Sequence, residues 1–119
     1  HTRQFQPNQV VTPGYSPIEQ LDPGGYVGPW TDIYAIGATI RTCMEGKPPL
    51  PSPKRREKDT MRQAVNAFKK RYGQKLLEAV DWAMEVDPML RPQSVEELLE
   101  PLRAQFEQLQ KQSEKAGTS

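Results

Sequence analysis

Cysteine and histidine are almost missing from this chain: Cys43 stands alone, and the one histidine is His1. A single thiol excludes an internal disulfide, and with no Cys/His metal pair and no histidine but His1, a structural zinc site and a Ser-His-Asp triad are both nearly ruled out. Long apolar runs are missing too. The longest, Ile33 to Ile40, is interrupted by Gly37 and Thr39 and falls far below the roughly 18 residues of a membrane span. His1 to Val10 lacks the apolar centre of a signal peptide, so a soluble, cytoplasmic chain without membrane contact is expected. Neither charge sign is in excess. Sixteen basic residues against fifteen acidic ones leave a net charge of +1, which gives no overall attraction to nucleic acid, anionic membranes or acidic substrates. Large aliphatic content is low as well: Leu, Ile, Val and Phe make up 23 of 119 residues, or 19%. That level meets half of the compositional criterion for disorder, but the balanced charge fails the other half. One small domain with a single core is the most this length can build.

Proline, by contrast, is abundant and unevenly placed. Nine of the twelve precede Lys54, and since proline removes a backbone donor and biases its predecessor toward extended geometry, the front of the chain reads as a long irregular segment. The window from Trp30 to Gly46 is free of proline and predicts one helix, with Thr31 as N-cap, Asp32 in its first turn and Gly46 with Pro48 and Pro49 as its stop. Ile33, Tyr34, Ile36, Gly37, Ala38, Ile40 and Met44 leave that helix almost no polar face, so burial on most sides is expected. Three further helices follow from apolar spacing. Lys58 to Tyr72 carries Met61, Ala64, Val65, Phe68 and Tyr72; Gln74 to Val86 carries Leu76, Leu77, Val80, Ala83 and Met84. The last opens on Ser94 and Glu97 as a capping box, with a kink or fresh start expected at Glu100-Pro101 and fraying after Gln110. No alternating run argues for a strand. The fold class expected is all-α.

Three clusters stand in order along the chain: Thr12-Pro-Gly-Tyr-Ser-Pro-Ile-Glu-Gln20, Gly28-Pro-Trp-Thr-Asp-Ile-Tyr-Ala-Ile-Gly37 and Asp87-Pro-Met-Leu-Arg-Pro92. Together they resemble the C-terminal half of a bacterial serine/threonine protein kinase, in which T-P-G-Y-x-A-P-E-Q closes the activation segment, S-D-I-Y-S-L-G opens the central helix of the large lobe and D-P-x-x-R-P precedes the last helix. The resemblance covers about Val11 to Leu102. It implies a helical subdomain of a kinase large lobe, divided into an activation-segment end and P+1 loop at 1–30, the helical body at 31–110 and a polar tail at 111–119.

What the resemblance implies for individual residues stands beside a plainer reading of each. Thr12, Pro13 and Gly14 become the loop that receives the substrate; alone, they are ordinary turn chemistry. Glu19 and Arg91 become the buried ion pair tying the activation segment to the loop before the last helix; alone, they are two surface charges. Here A-P-E reads Pro17-Ile18-Glu19, so the turn geometry departs from the family. Asp32 becomes the anchor of the catalytic loop, and would equally serve as a helix-dipole acid. Thr2 falls in what would be the activation loop and is the candidate phosphosite. Thr42 stands where family members carry a substrate-binding Glu, so an Arg-directed substrate preference is not implied. Trp30 and Trp82 read as packing residues. The run Lys54-Arg55-Arg56-Glu57-Lys58 and Lys69-Lys70-Arg71 lack interleaved aromatics and read as solvated faces, not a nucleic-acid patch.

The motifs of phosphoryl transfer are not in the sequence: no G-x-G-x-x-G, no H-R-D and no D-F-G. The expectation is a C-lobe fragment whose parent transfers the γ-phosphoryl of ATP, with Mg, to Ser/Thr of a protein substrate. Alone it is expected to bind no nucleotide or metal and to be inactive. The alternative is a helical interaction module or pseudokinase remnant. Without the N-lobe and catalytic loop of a parent, the apolar central helix predicts self-association.

Overall fold

The computed structural model describes residues 14–117, with side chains to residue 114. Among them the chain is all-α: α1 (Ile18–Leu21), α2 (Pro29–Glu45), α3 (Ser52–Glu57), α4 (Ala64–Ala67), α5 (Gln74–Ala83), a 3-10 turn at Pro88–Leu90 and α6 (Val95–Gly117), with no strand. No described helix is long and apolar enough to cross a membrane.

The central helix α2 begins three residues earlier than the sequence suggests. Gly28 is the N-cap and Pro29 supplies a preset φ at the first position. Thr31 is therefore three residues inside, where its Oγ1 accepts the Gly28 N–H at 3.2 Å. Gly46 ends the helix in the left-handed region at φ +85° and donates to Thr42 O at 2.7 Å, which glycine does without a Cβ penalty. Ile33, Tyr34 and Ala38 are fully buried and Met44 nearly so. Burial is less complete than the composition suggests, however, since Asp32, Ile36, Thr39 and Cys43 form an exposed stripe along one face.

Two apolar clusters flank the contact between α2 and α5. On one side Tyr34, Ala38, Met44, Ala64, Phe68, Leu77, Val80 and Met84 pack together; on the other, Ile33 of α2 and Ala79 and Ala83 of α5 meet Leu98 of α6, with Trp82 and Leu102 at the edge. Gly37 sits between the helices: a Cβ there would lie 2.8 Å from Ala83 Cβ.

The continuous helix expected over Lys58 to Tyr72 is replaced by a loop and the single turn of α4, while α3 forms earlier, from Ser52. Aspartates cause the break. Asp59 Oδ1 accepts the Met61 N–H at 3.2 Å, and the Asp81 carboxylate accepts those of Ala64 at 2.6 Å and Val65 at 3.1 Å. These bonds give the backbone an alternative to the helical ladder, and the apolar residues still reach the core from irregular chain. α5 stops at Ala83, short of Val86, and the carbonyls of Glu85 and Val86 accept from Arg91 instead.

The last helix starts as its residues suggest, with Ser94 Oγ accepting the Glu97 N–H at 3.1 Å. It then passes through Pro101 without dividing and continues beyond Gln110 to Gly117. One proline forfeits one hydrogen bond, and the Gln, Lys, Glu and Ala that follow are good helix formers, so propagation wins over the expected break and fraying.

Candidate functional site

The site is the seat on which residues 14–19 rest. Thr12 and Pro13, two of the three residues assigned to substrate reception, lie outside the described residues, as does Thr2. Gly14 adopts φ +93°, and a Cβ on it would come within 2.6 Å of Pro49 O. Its freedom is thus needed twice, for the turn and for the close approach to the Pro48-Pro49 step. Tyr15 follows, half-buried, its hydroxyl 2.9 Å from Thr42 Oγ1. Thr42 donates its own proton to Ala38 O at 2.8 Å, so Tyr15 is the donor in the pair. The Ser16 carbonyl accepts from the buried Ser52 Oγ at 2.7 Å. Three consecutive residues are therefore held by α2, the Pro-rich loop after it and the start of α3.

Below this seat Glu19 and Arg91 meet across 72 residues of sequence, both buried. Arg91 Nη1 lies 2.6 Å from Glu19 Oε2 and Nη2 3.1 Å from Oε1, a two-pronged contact in which the flat guanidinium fixes the carboxylate plane. Its remaining donors reach Trp30 O at 3.0 Å, Val86 O at 3.0 Å and Glu85 O at 2.6 Å, and the Tyr34 ring lies 4.8 Å beneath. All five N–H groups are used. Thr31 Oγ1 donates to Glu19 Oε2 at 2.8 Å. One cluster thereby joins α1, the start of α2, the end of α5 and the loop before α6. Such a cluster makes and breaks no bonds; it holds the chain at 14–19 in one place.

Asp32 lies exposed in the first turn of α2, next to Thr31 in sequence. Trp30 is half-buried, stacked on Tyr26 with ring centroids 5.1 Å apart and donating to Tyr26 O at 3.0 Å. The basic run after Pro53 is not uniformly solvated. Arg55 turns inward, donating to Met84 O at 2.6 Å, to Tyr34 Oη at 3.1 Å and to Asp59 Oδ2 at 3.0 Å. Burial works against its charge, but the bonds to Asp59 and Tyr34 outweigh that and hold the guanidinium above its ordinary value. Its neighbours Lys54, Arg56 and Lys58 are exposed, as are Lys69, Lys70 and Arg71.

Arg55, Ser52 and the Tyr15–Thr42 pair are what sequence reasoning passes over. Nothing in a basic run marks which member turns inward. The signal for Ser52 is faint: a small hydroxyl set among prolines that would otherwise leave the Ser16 carbonyl without a donor.

The helical order and the buried tie between the chain before α2 and the loop before α6 define a kinase-related fold. The chain is similar to the solved structure of PpkA-294 in its apo form, a fragment of a bacterial Ser/Thr kinase, with 39% sequence identity and a TM-score of 0.71 over 77% of this chain and 32% of that one. The chain thus spans about a third of the length of that structure, and the likeness supports a kinase-derived segment. No protein-family model matches the sequence, and no curated protein matches it.

Proposed function

We propose that this chain is the substrate-seating part of a serine/threonine kinase large lobe. In this reading the cytoplasmic parent transfers the ATP γ-phosphoryl to protein Ser/Thr, and this segment alone is inactive. The observation that carries the reading is the buried Glu19–Arg91 fork, which fixes the chain three residues after Ser16, with Ser52 and Thr42 holding Ser16 and Tyr15. A segment that receives a peptide has to be fixed before the peptide arrives, because disorder in it would be charged against binding and orientation. Thr12 and Pro13 complete the receiving loop with Gly14, Asp32 faces the parent's catalytic loop, and Thr2 is the phosphosite on the activation segment. ATP with Mg supplies the phosphoryl group and neutralises its charge in the parent; no residue of this chain is assigned to hold them.

The experiment is phosphoryl transfer from labelled ATP to a Ser/Thr protein by the full-length parent. We expect transfer by the parent, none by the 119-residue chain, and at least about a tenfold loss when Glu19→Ala is placed in the parent. A parent with no nucleotide-dependent transfer would overturn the enzyme reading and leave the interaction-module reading standing.

The exposed apolar edge supports the pairing of isolated copies. Ile36 and Ile40 of α2 with Leu76, Val95, Leu99 and Leu102 line a shallow apolar groove, and Ile36, Val95 and Leu99 are 37%, 47% and 41% exposed. In the parent the rest of the lobe covers this edge; in the isolated chain a second copy does. Light scattering is expected to give at least a dimer mass at high concentration. A monomer mass there would count against it.

A further inference from the structure

Arginine is used in two opposite ways in this fold. Arg91 is buried with every donor satisfied, whereas Arg41, 2% exposed on α2, is buried with one nitrogen that finds no partner among the described residues. Its Nε donates to Glu45 Oε2 at 3.3 Å, the single hydrogen bond of its guanidinium among the described residues. The buried Nη1 has no hydrogen-bond partner among the described residues. Phe68 lies 5.3 Å from the guanidinium carbon and offers its ring face, which offsets part of the desolvation but accepts no directed bond. Glu45 does not settle the account either, because Lys47 Nζ shares its carboxylate at 3.7 Å. Most buried polar atoms in folded proteins have partners, and a guanidinium short of them indicates a missing acceptor.

A cavity of about 540 Å³ is lined by Arg41, Lys47, Thr60, Arg62, Phe68 and the Pro48–Pro51 turn. Three cationic side chains and one carboxylate, that of Glu45, line it, and that carboxylate already serves two of them. Arg62, exposed, makes one contact among the described residues, to Asn66 O at 3.3 Å. Thr60 adds a hydroxyl. Pro49, on the cavity wall, is also the residue against which Gly14 presses, and Thr42, next to Arg41 in sequence, holds Tyr15. The cavity therefore adjoins the seat of residues 14–16 without being part of the Glu19–Arg91 cluster.

We propose that this cavity is an anion-binding site for a carboxylate or phosphate group, with Arg41 as its buried fork, Arg62 and Lys47 as flanking charges and Thr60 as a hydroxyl donor. The flat guanidinium matches the two oxygens of such a group, and the phenyl face behind it keeps the fork from rotating away. The group comes from an acidic side chain of a peptide lying along the seat or from a free oxyanion. The site is argued from Arg41 and its surroundings; only the peptide as its occupant rests on the substrate-seating reading.

The test is titration of the ¹⁵N-labelled 119-residue chain with inorganic phosphate, with a short Glu-containing peptide and with the same peptide carrying Gln. Saturable shifts of the Arg41 Nε–H signal and of the Thr60–Arg62 amides are expected. Tighter binding of the Glu peptide than of its Gln twin identifies a peptide carboxylate as the occupant, and a response to phosphate alone identifies a free oxyanion. Arg41→Met keeps the packing on Phe68 while removing the charge, and is expected to weaken binding at least about tenfold with the melting curve preserved. Should that variant misfold, the exposed Arg62→Gln and Lys47→Gln decide, each with an expected loss of about threefold or more. No saturable shift with any probe, or affinity unchanged in the folded variants, overturns the proposal.

Discussion

Arg91→Ala is expected to destabilise the chain by about 3–5 kcal/mol, because it strands a buried carboxylate and removes the donors from three backbone carbonyls at once. Against a typical total of about 5–15 kcal/mol, that loss leaves a population unfolded at room temperature, and urea unfolding followed by circular dichroism measures it. Arg91→Lys is informative because it keeps the charge. An ammonium has three donors on one atom and cannot span Glu19 Oε1 and Oε2 while also reaching Trp30, Glu85 and Val86. We expect it to recover less than half of the loss. Glu19→Ala is expected to cost a similar amount to Arg91→Ala, and the double variant clearly less than the sum, since each single change already breaks the shared contact. Additive losses would show that Glu19 and Arg91 act separately and that the tie between α1 and the loop before α6 contributes nothing.

How much of this was legible beforehand depends on how local each determinant is. The stop of α2 is written in Gly46 and the prolines behind it, since a left-handed residue followed by residues that cannot continue a helix needs no partner elsewhere. The start of α6 is equally local in Ser94 and Glu97. The all-α class follows from the 3.6 period. The break between α3 and α4 was hidden because its cause lies elsewhere in the chain: Asp81, on α5, captures the amides of Ala64 and Val65, and the spacing of Met61, Ala64 and Phe68 satisfies a helix and a folded-back loop alike. The end of α5 was hidden for the same reason, since Arg91 draws the carbonyls of Glu85 and Val86. For the candidate site, the ordered motifs singled out Gly14, Glu19 and Arg91, but not Thr31 as a donor to Glu19, nor the inward turn of Arg55. Those roles exist only once distant segments meet.

Gly37 carries the other large expected effect. It faces α5 in the middle of α2, and a Cβ at this position would stand 2.8 Å from Ala83 Cβ and 3.0 Å from Met84 Cγ. Two tendencies compete. Alanine gains about 1 kcal/mol of helix propensity over glycine, while overpacking a filled interior costs about 1–3 kcal/mol. The nearer contact decides the balance: Met84 is flexible and gives way, but Ala83 Cβ is fixed to the α5 backbone, so the helices themselves have to separate. Ala83 is fully buried and belongs to the cluster containing Ile33, Ala79 and Leu98, so separation loosens packing on both sides of the contact. Gly37→Ala is therefore expected to be destabilising by about 1 kcal/mol, propensity notwithstanding. Gly37→Val adds two further methyl groups and loses most of the propensity gain, and is expected to cost about 3 kcal/mol or more. Ala83→Gly in the Gly37→Ala background supplies the missing space and is expected to recover part of the loss despite placing glycine in α5. Thermal unfolding of the four chains measures the series, and a Gly37→Ala chain more stable than the parent sequence would show that α2 and α5 are not in close contact at this point.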